Sequence, residues 1–268
     1  MISKRPSTVA GALAAIALAA CGEPNASAET QSVREKSGPV VERAELGLMT
    51  SLPLYWPTGM EFADIAQGNG ETPWQRVLIE QQFELTPLDT LTSIPALSPN
   101  EPETDPLAEL EHLAVIQPRG LSAADNVALD EWVREGGQLL LVLDPMLTGH
   151  YEMPLGDPQR PVGSALIPPV VKRWGLEVRF DEDQQLERQV ELGGDALNVS
   201  LAGNIQATDG AGPGCEIMAD GVIARCSIEK GSVTLLADAD VFEHEYETDL
   251  EDADNLFPLA RFMRFAFP

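Results

Sequence analysis

Residues 112–143 constrain the fold more than any other stretch of this chain. His112-Leu113-Ala114-Val115-Ile116-Gln117 is an apolar run of strand length, and Arg119-Gly120-Leu121 turns the chain. Ser122 then stands three residues before Asp125, the spacing of a capping box with Asp in place of the usual Glu. Leu129, Trp132 and Val133 give the following segment one apolar helical stripe, which Gly136-Gly137 end. Gln138 to Leu143 is apolar almost throughout, as in a parallel strand covered on both faces. Strand, helix and strand in this order form one βαβ unit, and a chain containing it belongs to the α/β class.

The flanking segments extend that unit. Ala44 to Thr50 reads as a first buried strand, and Phe83 to Leu88 as a second, held to an edge by Pro87. Between them, Thr72 as N-cap and Pro73 at the first helical position open a helix with Trp74, Val77, Leu78 and Gln81 on one face. Residues 94–106 carry four prolines and form a surface loop. Ile167 to Trp174 reads as a helix and Leu176 to Phe180 as a strand; 181–214 is polar and Gly-rich, with a meander expected. Val222 to Ile228 and Val233 to Ala237 form a hairpin turning at Lys230-Gly231, and Asp252 to Phe267 closes the chain as an amphipathic helix. The expectation is a three-layer α/β domain over 44–268. Its sheet is mostly parallel and doubly wound, of the flavodoxin-like or class I glutamine amidotransferase-like kind, with an antiparallel hairpin at one edge.

Charge and composition narrow the function. Lys plus Arg number 17 against 43 Asp plus Glu, a net charge of −26, so the surface repels nucleic acid and no nucleic-acid partner is expected. With three Cys and three His, a Cys/His zinc site is not expected.

The N-terminus carries an address. Lys4 and Arg5 precede a short apolar run, Val9 to Ala20, which ends Leu18-Ala19-Ala20-Cys21-Gly22. This resembles the bacterial lipobox, which implies a signal peptide over 1–20, lipidation of Cys21 and a flexible tether over 21–43. Gly22, by the sorting rule of double-membrane bacteria, favours the periplasmic face of the outer membrane. The membrane would then be a partner through that lipid, stably so if several acyl chains share the one Cys. No segment has 18 consecutive apolar residues.

The run LAVIQPRGLSAADNVALDEWVREGGQLLLVLDPML, with GSVTLLADADVF beyond it, resembles the soluble domain of uncharacterised ABC-type transport system proteins, including auxiliary components of the gliding-motility type. The resemblance implies the amidotransferase-like three-layer fold and an accessory role beside ABC transporter subunits. Larger members of that family carry membrane helices.

An amidotransferase needs a nucleophilic Cys at a strained strand–helix turn with His and Glu near it. Cys215 and Cys226 lie in the hairpin region instead, and neither G-x-C-x-G, G-x-S-x-G nor G-K-[ST] occurs. No cofactor is expected. Doubly wound sheets bind ligands at the carboxyl ends of their strands. Those ends offer Ser51, with Tyr55 and Trp56 in its loop, then Arg119, Asp144, Asp238 and Asp240. Either they line a ligand site, or Asp144 and Asp238 merely cap turns and pair with Arg119. The acidic stretch Asp238 to Asp254 lacks the spacing and central Gly of an EF-hand and reads as a solvated loop, with His244 in it exposed.

Two functions compete on this reading. One is a non-catalytic, lipid-anchored binding or scaffold module serving an ABC-type transport system. The other is an envelope hydrolase using Asp144, Asp238 and Asp240, around a divalent metal. Cys215 and Cys226 are expected to form a disulfide. With Asp220-Gly221 as a two-residue turn they face each other across the hairpin, at a hydrogen-bonded site unless a bulge at Gly214 intervenes.

Overall fold

In the computed structural model, residues 43–60, 62–68, 70–98, 100, 102–208, 214–243 and 258–268 are described. The signal, the Cys21 anchor, the tether and His244 with the rest of the acidic stretch beyond Glu243 lie outside them.

The strands are β1 (Ala44–Thr50), β2 (Phe83–Pro87), β3 (His112–Ile116), β4 (Gln138–Val142), β5 (Leu176–Arg179), β6 (Glu187–Leu192), β7 (Asp195–Ser200), β8 (Asn204–Ala207), β9 (Cys215–Met218), β10 (Ile223–Ile228) and β11 (Gly231–Leu236). The helices are α1 (Phe62–Gln67), α2 (Trp74–Ile79), α3 (Ala123–Glu135), α4 (Pro169–Arg173), α5 (Asp240–Glu243) and α6 (Pro258–Ala266). Seven strands make one sheet in the order β2-β1-β3-β4-β11-β10-β9. Pairing is parallel from β2 through β11 and antiparallel from β11 to β9. The pairs β5–β8 and β6–β7 form two small antiparallel ladders, which resolve the polar stretch that sequence left as a meander.

Apolar residues alternate between two helical layers, which is why the central strands carry so few polar positions. Leu46, Leu48, Ile116, Leu140 and Val142 face Leu78 and Ile79 of α2 and Leu259, Phe262 and Met263 of α6. Leu113, Val115, Leu139, Leu141 and Leu235 face Leu129 and Val133 of α3 and Val170 and Val171 of α4.

The capping box of α3 forms as the sequence predicts: the Asp125 N–H donates to Ser122 Oγ, and the Ser122 N–H donates to the Asp125 carboxylate, both at 3.0 Å. Asp125 also accepts the Leu91 N–H at 2.9 Å, tying the long loop to the helix. Gly136 caps the helix at φ 135°, out of reach for a residue with a Cβ.

Other expectations need correction. The α2 helix begins one residue later than predicted, with Pro73 at the N-cap position and no side-chain cap. Its buried residues are Gln75, Leu78 and Ile79, while Val77 points out, because the helix packs against α6 on a rotated face. The α4 helix keeps only Pro169–Arg173 of the expected span, since Pro168 and Pro169 confine its start. Strand β11 starts at Gly231, two residues early. There Gly231 lies against the end of α3: a Cβ would sit 2.1 Å from the Val133 carbonyl oxygen.

The Cys215–Cys226 disulfide is present, and the two residues are register partners as expected. The pairing phase differs. Ala219, Asp220 and Gly221 all take positive φ, and the Val222 N–H donates to the Ala219 carbonyl, making a four-residue loop. The Ser227 N–H donates to the Gly214 carbonyl, which places the cysteines at a site without backbone hydrogen bonds between them, where side chains come closest.

Candidate active site at the carboxyl edge of the sheet

Strands β1, β3, β4 and β11 run parallel and end at one edge. Because β2 and β3 flank β1, the strand order reverses there, and open α/β sheets bind ligands at such a switch. Ser51 and Gln117 occupy this position. Ser51 Oγ donates to the Gln117 carbonyl at 2.5 Å and accepts the Val162 N–H at 3.1 Å.

Gln117 was not singled out in the sequence. It is fully buried and adopts φ 45°, an uncommon conformation for a residue with a side chain. A strained corner between a strand and a helix is where an elbow presents a nucleophile. Here the corner carries an amide turned inward. Its Nε2 donates to the carbonyls of Asp144 (3.0 Å) and Val162 (2.9 Å), and its Oε1 accepts the Asp144 N–H (2.9 Å).

Three predicted carboxylates converge at the ends of β4 and β11. Asp144, Asp238 and Asp240 are exposed by only 1%, 1% and 4%. Asp144 accepts the N–H groups of Met146 (2.8 Å) and Ala239 (3.0 Å). Asp238 accepts those of Asp240 (2.7 Å) and Ser200 (2.9 Å), and the Ser200 hydroxyl donates to Asp240 (2.9 Å). Burial pushes the Asp144 carboxyl up to about 7; its backbone donors oppose the rise, and the charges of Glu243 and Asp240 add to it. Burial first, then the Asp144 charge, pushes Asp238 up to about 8.

The loop after β4 lies over this edge. Glu243, another residue the sequence did not point to, accepts the Gly149 N–H at 3.0 Å and the Tyr151 hydroxyl at 2.6 Å. Burial and that carboxylate push the Tyr151 hydroxyl well up. The Thr148 hydroxyl is buried without a hydrogen-bond partner among the described residues.

Arg119 does not join the carboxylates. It is exposed and donates to the Arg160 carbonyl at 3.0 Å, so its expected pairing with Asp144 and Asp238 is absent. Tyr55 and Trp56 meet edge to face with centroids 4.9 Å apart, and the Arg76 guanidinium lies 4.0 Å from the Tyr55 ring centre. Among the described residues, no group of three His, Cys, Asp or Glu side chains is placed to hold a metal ion. Four carboxylate oxygens of Asp144 and Asp238 accept main-chain N–H groups, bonds that favour the ionised form and partly offset the rise that burial imposes.

No family model matches the chain, and no curated protein matches it. Among solved structures it is similar to exo-β-1,4-mannosidase Op5Man5 from Opitutaceae bacterium strain TAV5, at 14% identity and TM-score 0.46, over 83% of this chain and 36% of that one. It is also similar to a putative ThuA-like protein from Bacteroides uniformis ATCC 8492, at 12% identity and TM-score 0.40, over 85% and 93% of the two chains. A third is cytoplasmic protein STM1381 from Salmonella typhimurium LT2, at 9% identity and TM-score 0.36, over 83% and 95%. The chain thus spans about a third of the mannosidase.

These findings correct two expectations. No comparison brings up a transport component, so the resemblance to ABC-type transport proteins and the accessory role that it implied are withdrawn. The anchor at Cys21 and the outer-membrane location find no support in the comparisons and are not retained either; Cys21 lies outside the described residues. No helix among the described residues is long and apolar enough to cross a membrane.

Proposed function

We propose that the chain is a hydrolase of amidotransferase-like, flavodoxin-like α/β fold, with Asp144 and Asp238 as a metal-free acid–base pair. The observation that carries this reading is the placement of two buried carboxyls on neighbouring strand ends with proton affinities near neutrality, about 7 and about 8. Such a pair divides the work: between those values one carboxyl keeps its proton for a leaving oxygen while the other accepts one from water. The two titrate together, so the values belong to the pair. Gln117 fixes the β4 end through the Asp144 main chain, and Ser200 fixes Asp238 and Asp240. Substrate reaches the pair when the Glu243–Tyr151 contact over the edge opens.

The test is a panel of aryl glycosides, esters and amides assayed across pH. The expected result is turnover on one class with a bell-shaped profile between about 7 and 8, insensitive to chelators. Loss of about a hundredfold or more is expected in Asp144→Asn and Asp238→Asn with the fold retained. No turnover on any class, or activity that survives both substitutions, overturns the reading.

A further inference from the structure

A second cleft, of about 430 Å³, opens beside the β5–β8 ladder. Arg179 from the end of β5 and Arg188 from β6 line it, with the amides of Gln184, Asn204 and Gln206 and the single carboxylate of Asp181. In a chain with 17 basic and 43 acidic side chains this balance is inverted. Two arginines and one carboxylate residue are among its lining, and Asp181 already accepts the Asp183 N–H at 3.0 Å.

Neither arginine is held by a strong partner. The Arg188 side chain is three-quarters covered, yet its nearest acid, Asp220, stands 3.7 Å away and is itself exposed. A partly desolvated guanidinium at that distance retains unfilled donors. Arg179 pairs with Glu177 at 2.5 Å, but both are solvent-exposed, and such pairs contribute little and exchange readily. The strand register sets Arg179 opposite Asn204, whose Oδ1 accepts the Gln206 amide at 2.9 Å. The Gln184 amide is anchored on the Asp181 and Ala202 carbonyls at 2.9 and 3.0 Å. The walls are therefore fixed while the two cationic forks remain available.

We propose that this cleft binds a small ligand bearing two or more oxyanion groups, carboxylate or phosphate, bridged between Arg179 and Arg188. Planar guanidiniums match both groups through paired N–H donors, and the volume suits a small metabolite. This site is separate from the carboxylate pair and does not depend on its chemistry.

Titration calorimetry on the full chain at low salt tests the idea, with citrate and pyrophosphate as the two probes. Binding of either probe supports the proposal, and the tighter one identifies the source of the oxyanion. Affinity is expected to fall about tenfold in Arg188→Gln and beyond detection in the double Arg179→Gln, Arg188→Gln variant, a tenfold loss corresponding to about 1.4 kcal/mol. Arg179→Gln alone changes an exposed side chain and keeps the test valid if the Arg188 variants misfold; it too is expected to weaken binding. Arg264→Gln, an exposed arginine on α6, and Asp144→Asn are expected to bind as the parent does. Absence of binding by both probes overturns the proposal. So does binding that survives the arginine substitutions or falls equally with Arg264→Gln.

Discussion

The side-chain amide of Gln117 clasps the main chain of Asp144 from both sides, accepting its N–H at 2.9 Å and donating to its carbonyl at 3.0 Å. One side chain thus stitches the ends of β3 and β4 and pulls in the Val162 carbonyl at 2.9 Å. Removing it leaves the Asp144 N–H and the Val162 carbonyl without this partner, while the Asp144 carbonyl keeps the Ala165 N–H at 2.8 Å. Gln117→Ala is expected to cost roughly 2–6 kcal/mol in urea unfolding, at about 1–3 kcal/mol for each of the two orphaned groups. Gln117→Gly loses the same bonds but relieves the positive φ, and is expected to be about 1 kcal/mol less damaging than the alanine variant.

The carboxylate pair sets a pH dependence of unusual sign. Asp144 and Asp238 hold protons in the folded chain up to about 7 and about 8, while unfolded carboxyls release theirs near 3.8. Between those limits the folded state binds more protons, so stability is expected to fall as pH rises from about 4 to about 8. Thermal unfolding at pH 5 and pH 8 measures it. Asp144→Asn removes one titrating group and is expected to flatten the slope, although it weakens the chain at pH 5 by losing an acceptor for Met146 or Ala239.

Asp130 behaves oppositely. Burial would raise its carboxyl, but bonds from Arg134 Nε at 2.9 Å and Trp174 Nε1 at 2.8 Å prevail, and with the charges of Arg134 and Arg173 they hold it below its usual value. Its contribution is fully present above about 3.8 and is lost as pH falls through the folded value. Asp130→Asn is expected to loosen α4 from α3 and to cost about 1–3 kcal/mol at neutral pH, with a smaller penalty at pH 3. Denaturant melts of parent and variant at the two pH values check this.

Breaking the Cys215–Cys226 link is expected to cost about 2–3 kcal/mol, from the entropy of a loop this short. A Cys215→Ala, Cys226→Ala chain compared with the oxidised parent in urea measures it. Reductant should move the parent to the variant's midpoint and leave the variant unchanged.

The βαβ unit was legible because each of its signals was local: the Ser122–Asp125 spacing, the Gly136 stop and the apolar runs on either side. Asp144 and Asp238 were legible for the same reason, as the first polar residues after buried strands. Gln117 obeys that rule too, but reading the strand through it shifted attention to Arg119, which the chain has already carried clear of the sheet. Glu243 and Tyr151 meet across 92 residues of chain, and no spacing encodes such a contact. Arg188 and Arg179 are similar: β5 is legible from its alternation, but their shared cleft depends on the pairings β5–β8 and β6–β7 of short strands within a polar stretch, and no local signal encodes which strand pairs with which. The phase of the β9–β10 turn escaped because Ala219 takes φ 51°, a conformation its residue type does not announce.

Strand β9 is only four residues long and forms one border of the main sheet. Behind it runs β10, six residues with Ile223, Ala224 and Cys226 buried. Were β9 to peel away, β10 would present a row of unpaired amides and carbonyls, a template on which a second chain can add its own strand. The covalent bond to Cys226 keeps β9 in place, so the cross-link guards the sheet against edge-to-edge association. Reducing agents in a purification buffer would expose that border and favour self-assembly, at a concentration-dependent rate, before they unfolded the sheet.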